Sequence, residues 1–276
     1  MSERTSYVPG TPCWVDLAMP DFEEAERFYW GLYGWKIPEL PDSSEMGGYR
    51  RAKMGSHDIA GVMPLMEEGQ EGQPPAWSTY ISVADAEATA ATITENGGAQ
   101  IAAPMAVSEY GRLALFTDPE GTFFGIWEPG TFAGAELVNE RGTVGWNELN
   151  TRDPERAKQF YGAVFGWEAD EHDMGEMGTY VEWRLDDKRV GGMLDIRDRV
   201  PAEVPSHWLV YFGSVDTDEA VAKVKELGGQ VMFGPVDIEP GRMAVVKDPF
   251  GASFALMQPN ERTQQRAAQL DAELSG

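Results

Sequence analysis

Apolar and polar positions along the chain switch between a strand-like and a helix-like period, in the same order twice. Pro12–Ala18 is a short apolar run bounded by proline, which predicts a strand. Asp21 then opens a stretch with an N-capping carboxylate, glutamates in its first turn and apolar residues at Phe22, Ala25, Phe28 and Tyr29. That pattern predicts an amphipathic helix, and Gly34 ends it. Three short strand-like stretches follow, near Trp35–Glu39, Tyr49–Met54 and Asp58–Met66, before a Gln/Gly/Pro linker over Gln70–Pro75. A second half begins with strand Trp77–Val83 and an Ala-rich helix over Asp85–Asn96, stopped by Gly97-Gly98. Strands near Ile101–Val107, Leu113–Thr117 and Thr122–Trp127 complete it, the last two joined by a turn over Asp118–Gly121.

All of this returns. Trp14, Asp21 and Trp35 recur 132 residues later as Trp146, Asp153 and Trp167. The offset falls to 131 for Met46/Met177, Tyr49/Tyr180, Gly61/Gly192 and Trp77/Trp208, and to 130 for Asp118/Asp248, Gly121/Gly251 and Pro129/Pro259. A period this long marks a duplicated domain, since solenoid units run to roughly 20–50 residues. The expected division is domain 1 over residues 8–129, a Gly-rich linker over 130–141, domain 2 over 142–260, and a tail of helical composition over 261–276.

Composition narrows the possibilities. The 22 Lys and Arg against 46 Asp and Glu leave a net charge of −24, which disfavours nucleic acid and anionic membranes as partners. The acidity fits a soluble protein from an acid-biased proteome; steering of cationic ligands is the functional alternative. One cysteine, Cys13, allows neither an internal disulfide nor a thiolate metal cluster. No apolar run has the length of a signal peptide core or a membrane span, so a cytoplasmic location is expected.

A βαβββ unit used twice per domain resembles the vicinal-oxygen-chelate superfamily of glyoxalase I, bleomycin-resistance proteins and extradiol dioxygenases. The resemblance rests on Asp21, Phe28-Tyr29 and Gly34-Trp35, on their repeats Asp153, Phe160-Tyr161 and Gly166-Trp167, and on Asp-Pro-x-Gly at 118 and 248. The chain looks most like the two-domain glyoxalase-like proteins of actinobacteria. The resemblance implies an α+β fold of two tandem domains. Each would pair two βαβββ modules into a curled, mostly antiparallel sheet with helices outside. It also implies a cavity where enzymatic members hold a divalent metal with His, Gln or Glu. The implied ligand positions fall on Trp14 and Trp146, on Gly125 and Ala255, and on Ser78 or Thr79 and Leu209 or Val210. None is a good ligand for zinc, nickel or iron. His57, His172 and His207 do not repeat between copies. No metal and no other cofactor is therefore expected.

Strand alternation sets what would face the cavity instead. Trp14 would be joined by Asp16 and Ala18, and Trp146 by Glu148 and Asn150. The last strands would present Phe123, Gly125 and Trp127 against Ser253, Ala255 and Met257, with Tyr80 and Tyr211 as equivalent residues nearby. The tryptophans are either plugs where a ligand once sat or stacking platforms for a flat ligand. Trp35 and Trp167 read as core. Asp16 and Glu148 are candidates for general acid–base chemistry or for holding a cationic amine. Alternatively they accept hydrogen bonds from a backbone amide or a neighbouring basic side chain: Arg51, Lys53 and Arg184 lie on predicted adjacent strands, and Arg112 and Arg242 repeat. Phosphate loops, dinucleotide fingerprints and a Ser-His-Asp pattern are not found.

The function these features favour is metal-independent binding of an aromatic or apolar small molecule, by a monomer or homodimer, in resistance by sequestration or in secondary metabolism. The alternative is a glyoxalase-like lyase or a hydroxylase or oxygenase with a non-standard or a carboxylate-based active site.

Overall fold

The computed structural model describes residues 2–40, 46–65, 74–175 and 178–265. Domain 1 contains, after a short β1 (Ser2–Glu3), β2 (Pro12–Met19), α1 (Phe22–Tyr33), β3 (Arg50–Met54), β4 (His57–Pro64), β5 (Ala76–Ser82), α2 (Ala86–Glu95), β6 (Ala99–Val107), β7 (Gly111–Thr117) and β8 (Phe123–Pro129). A two-residue β9 (Leu137–Val138) follows and pairs with β1. Domain 2 contains β10 (Val144–Thr151), α3 (Pro154–Phe165), β11 (Glu168–Asp173), β12 (Thr179–Leu185), β13 (Lys188–Asp195), β14 (His207–Gly213), α4 (Thr217–Glu226), β15 (Gln230–Ile238), β16 (Gly241–Lys247) and β17 (Ser253–Pro259). No helix among the described residues is long and apolar enough to cross a membrane.

Each domain forms one open, mixed sheet. The orders are β3-β4-β2-β5-β8-β7-β6 and β11-β12-β13-β10-β14-β17-β16-β15. Antiparallel pairing of β2 with β5, and of β10 with β14, joins the two modules of a domain at its centre. The predicted strand near Trp35–Glu39 is reduced to a single bridge, Lys36 to Lys53, whereas its counterpart β11 pairs fully with β12. Pro38 is the reason: it has no N–H to give a ladder, and domain 2 has Asp170 at that position. The expected linker over Gln70–Pro75 and Met177 lie largely or wholly outside the described residues. So does most of the tail, of which residues 261–265 are helical.

The helices begin and end where the sequence says. Asp21 accepts from the Glu23 and Glu24 amides, and Asp153 from that of Arg156. Gly34 and Gly166 close their helices in the left-handed region, at φ +82° and +72°. These helices cover one face of their sheet, opposite the inner face, and also pack against the other domain: α1 lies against α4, and α2 against α3.

Each hydrophobic core is consequently built from both copies. The first joins Val15, Leu17, Phe28, Tyr29 and Trp35 to Val210, Phe212, Val224 and Phe254. The second joins Leu149, Phe160, Tyr161 and Trp167 to Ile81, Ile93, Phe116 and Phe124. Buried polar groups are matched reciprocally across this junction. Tyr29 donates to Asp248 (3.1 Å) and Tyr161 to Asp118 (3.2 Å), while the Trp35 and Trp167 indoles donate to the carbonyls of Gly142 and Gly10. The Phe-Tyr, Gly-Trp and Asp-Pro-x-Gly motifs thus serve the junction between domains. Asp118 and Asp248 also brace their own turns, accepting from the backbone N–H of Thr122 and Ala252.

Candidate functional site

The inner face of each sheet carries four side chains at equivalent positions. In domain 1 they are Trp14, Asp16, Tyr49 and Tyr80, and in domain 2 Trp146, Glu148, Tyr180 and Tyr211. Alternation along β2 and β10 places the tryptophan and carboxylate on this face, while Val15, Leu17 and Leu149 enter the cores. Tyr80 sits opposite Trp14 in the β2–β5 ladder and Tyr211 opposite Trp146 in β10–β14.

The indole of Trp14 donates to the Tyr49 hydroxyl at 2.7 Å, and that of Trp146 to Tyr180 at 2.9 Å. Gly61 and Gly192 make room for these phenols: a Cβ at either would lie 1.9 Å from the tyrosine oxygen. Tyr80 hydrogen-bonds Asp16. Glu148, one methylene longer, accepts from Tyr211 at 2.9 Å and also from Tyr180 and Asn150. Domain 1 has Ala18 where domain 2 has Asn150, and among the described residues no group hydrogen-bonds Asp16 Oδ1.

That difference fixes the electrostatics. Burial pushes the Asp16 carboxyl up to about 7, with only Tyr80 opposing it. Burial also raises Glu148, but its hydrogen bonds and the charge of Arg199 counteract the effect. The four tyrosines are held neutral by burial and by the adjacent carboxylates.

Around the quartets the two faces diverge. Trp127, Leu113 and Leu115 in domain 1 are replaced by Met257, Met243 and Val245 in domain 2. An ion pair reverses its polarity: Arg51–Asp58 (2.7 Å) in domain 1 becomes Glu182–Arg189 (2.7 Å) in domain 2. Trp14 is 7 % exposed, whereas Trp146 is half-buried.

The structure therefore gathers Trp14, Asp16, Tyr80 and Trp127 on one inner face, and Trp146, Glu148, Asn150, Tyr211 and Met257 on the other. Phe123 stands apart, 37 % exposed at the start of β8. The basic residues weighed as carboxylate partners are engaged elsewhere: Arg51 and Lys53 with Asp58, Arg184 with Asp170, Arg112 with Glu87, and Arg242 with Asp218. Tyr49 and Tyr180 were not singled out from the sequence as site residues. Their recurrence at the offset of Gly61 and Gly192 was the available signal.

The donor set on these faces does not fit a divalent metal. Each offers one carboxylate and neutral phenols, with Trp14, Ser78 and Gly125, or Trp146, Leu209 and Ala255, around them. Among the described residues, one cluster presents three ligand atoms within 4.8 Å: Asp170, His172 and Glu182, on β11 and β12. Arg184 and Arg189 already lie 2.7 Å from its two carboxylates.

The chain belongs to the Glyoxalase/Bleomycin resistance protein/Dioxygenase superfamily, whose profile matches residues 13–126 and again 142–256. It is 38% identical over 260 residues to CFP32 of Mycobacterium tuberculosis, a protein with a glyoxylase name, covering 94% of this chain and 98% of that one. It is 35% identical over 269 residues to the anthracycline biosynthesis protein DnrV of Streptomyces peucetius, covering 93% and 96%. Solved structures share the fold at low identity. The Mn(II)-bound glyoxalase from Novosphingobium aromaticivorans superimposes with a TM-score of 0.62 at 14% identity, covering 91% of this chain and 82% of that one. The 2,3-dioxygenase LapB from Pseudomonas sp. KL28 does so at 0.63 and 13%, covering 93% and 94%.

Proposed function

We propose that this protein binds an aromatic or apolar small molecule on an inner sheet face without a metal ion, and acts by sequestration or as an auxiliary in secondary metabolism. One observation carries the reading: a Trp–Tyr–carboxylate–Tyr quartet stands in both copies at the centre of the inner face, in place of a metal donor set. Indole and phenol rings offer flat apolar surface, and the buried carboxyls offer a directed hydrogen bond to a ligand hydroxyl or ketone. The likeness to a protein of anthracycline biosynthesis supports a fused-ring ligand of this kind.

Titration of the chelator-treated protein with a fluorescent anthracycline tests this. Saturable binding that survives chelation and is unchanged on adding Mn(II), Zn(II) or Fe(II) is expected. Binding or turnover that requires an added metal would overturn the metal-independent reading. A second reading, acid–base chemistry by a carboxylate, is favoured by the raised pKa of Glu148 close to the half-buried Trp146. Product formation from the bound compound, lost in Glu148→Gln while binding remains, would select it.

A further inference from the structure

The two copies run in step as far as Gly130 and Asn260, whose amides bond the carbonyls of Tyr110 and Pro240. There they part. Asn260 caps the helix over residues 261–265, accepting from the Thr263 amide, and Arg262 is 82 % exposed. In domain 1 the chain instead crosses the inner face. The Thr131 and Phe132 amides bond Glu109 and Tyr110, that of Ala135 bonds Cys13, and that of Glu136 bonds Asp58. Trp127 donates its indole N–H to the Phe132 carbonyl (2.8 Å), and Tyr7 donates to that of Ala135 (2.6 Å).

The Phe132 ring takes the position of a guest. It meets Trp14 edge-on at 4.9 Å and lies 6.2 Å from Trp127, while the Arg51 guanidinium sits 4.8 Å from its centroid. Gly134, at φ +134°, permits the approach, because a Cβ there would lie 2.3 Å from the Cys13 carbonyl oxygen. At the corresponding points after β17 stand Arg262 and Gln264, which have neither an aromatic ring nor that backbone freedom.

We propose that residues 131–138 are a permanent internal occupant of the domain 1 face, so that the chain takes one small molecule, on domain 2 alone. Phe132 also shows what the surviving face accepts. The guest is a ring set against Trp146, with Met257 and Met243 in place of Trp127 and Leu113, and a polar edge within reach of Glu148. The proposal rests on the binding reading above, but the seal can be tested separately from it.

The test uses the full chain, with phenol as a single-ring probe and the tryptophan indole N–H signals as reporters in NMR. In the wild type, phenol should shift Trp146 and leave Trp14 and Trp127 unmoved. In Phe132→Ala, which opens a ring-sized void, phenol should shift Trp14 and Trp127 as well. Wild-type shifts at Trp14 or Trp127 would overturn the proposal, as would a folded Phe132→Ala chain in which phenol shifts Trp146 but leaves Trp14 and Trp127 unmoved. Hydrogen exchange of the unmodified chain decides the seal without any ligand. The Phe132, Ala135 and Glu136 amides should be protected to the level of β2, and free-loop exchange there would overturn it. Protected amides with no indole response in either chain would remove the binding reading and leave the seal standing.

Discussion

Replacing Asp16 by asparagine isolates the energetic cost of the domain 1 carboxylate. Asp16 is 3 % exposed, and burial moves its pKa from 3.8 to about 7. A folded-state pKa above the unfolded value means that the native chain holds the proton where the unfolded chain has released it. Stability is then greatest below the unfolded pKa, falls as pH rises between the two values, and levels off above the folded one. Each unit of separation corresponds to 1.36 kcal/mol, so the full loss from this group is about 4 kcal/mol. Between about pH 5 and about pH 8.5 the change is about 3 kcal/mol, because the unfolded carboxyl is already ionised at the lower pH. Glu148, Asp118 and Asp248 are raised by burial too and slope the same way, so the wild-type profile alone does not single out Asp16. The difference between wild type and Asp16→Asn does. Urea denaturation at the two pH values should show the variant gaining about 3 kcal/mol on the wild type as pH rises, whatever its offset at low pH. Parallel profiles, with a difference constant to within about 0.5 kcal/mol, would refute the assignment of a raised pKa to Asp16.

Three further outcomes follow from the same geometry. Tyr29→Phe and Tyr161→Phe each remove a buried hydrogen bond across the domain junction and should cost about 1–3 kcal/mol in denaturation. Trp14→Ala should cost about 3–5 kcal/mol because the ring is buried on both sides, whereas Trp146→Ala, at a half-buried site, should cost clearly less while weakening anthracycline binding; equal losses in stability would contradict the asymmetry of the two faces. Gly61→Ala and Gly192→Ala should each displace a tyrosine hydroxyl and break its bond with the neighbouring indole, read as a change in tryptophan emission and a loss of more than about 1 kcal/mol in stability.

The duplication, the order of strands and helices, and the inward pairing of Trp14 with Asp16 and Trp146 with Glu148 were legible from the sequence, because the periods of strand and helix are local properties. Tyr49 and Tyr180 were not: each stands at the start of its strand-like stretch, and nothing in the sequence set which side of that stretch turns inward. The tyrosines of the Phe-Tyr motifs looked like ordinary helix-face residues, yet their partners Asp248 and Asp118 lie far along the chain in the other copy. Glycine-rich composition made residues 130–141 look like a linker. One of those glycines, Gly134, lets the segment approach Cys13 of β2, and the tertiary contacts of Phe132 distinguish a strap from a tether.

The shared cores have a consequence for assembly. A single copy of the repeat ends with α1 or α3 facing a partner it does not contain, so such a half is expected to be complete only when a second half meets it, at a rate and extent set by concentration. Joining the halves through one polypeptide makes that encounter intramolecular, at an effective concentration of order millimolar for a short connection. The covalent chain should therefore keep its fold on dilution to levels at which separate halves would part, and halves co-expressed as two polypeptides should reassemble with the same four reciprocal hydrogen bonds.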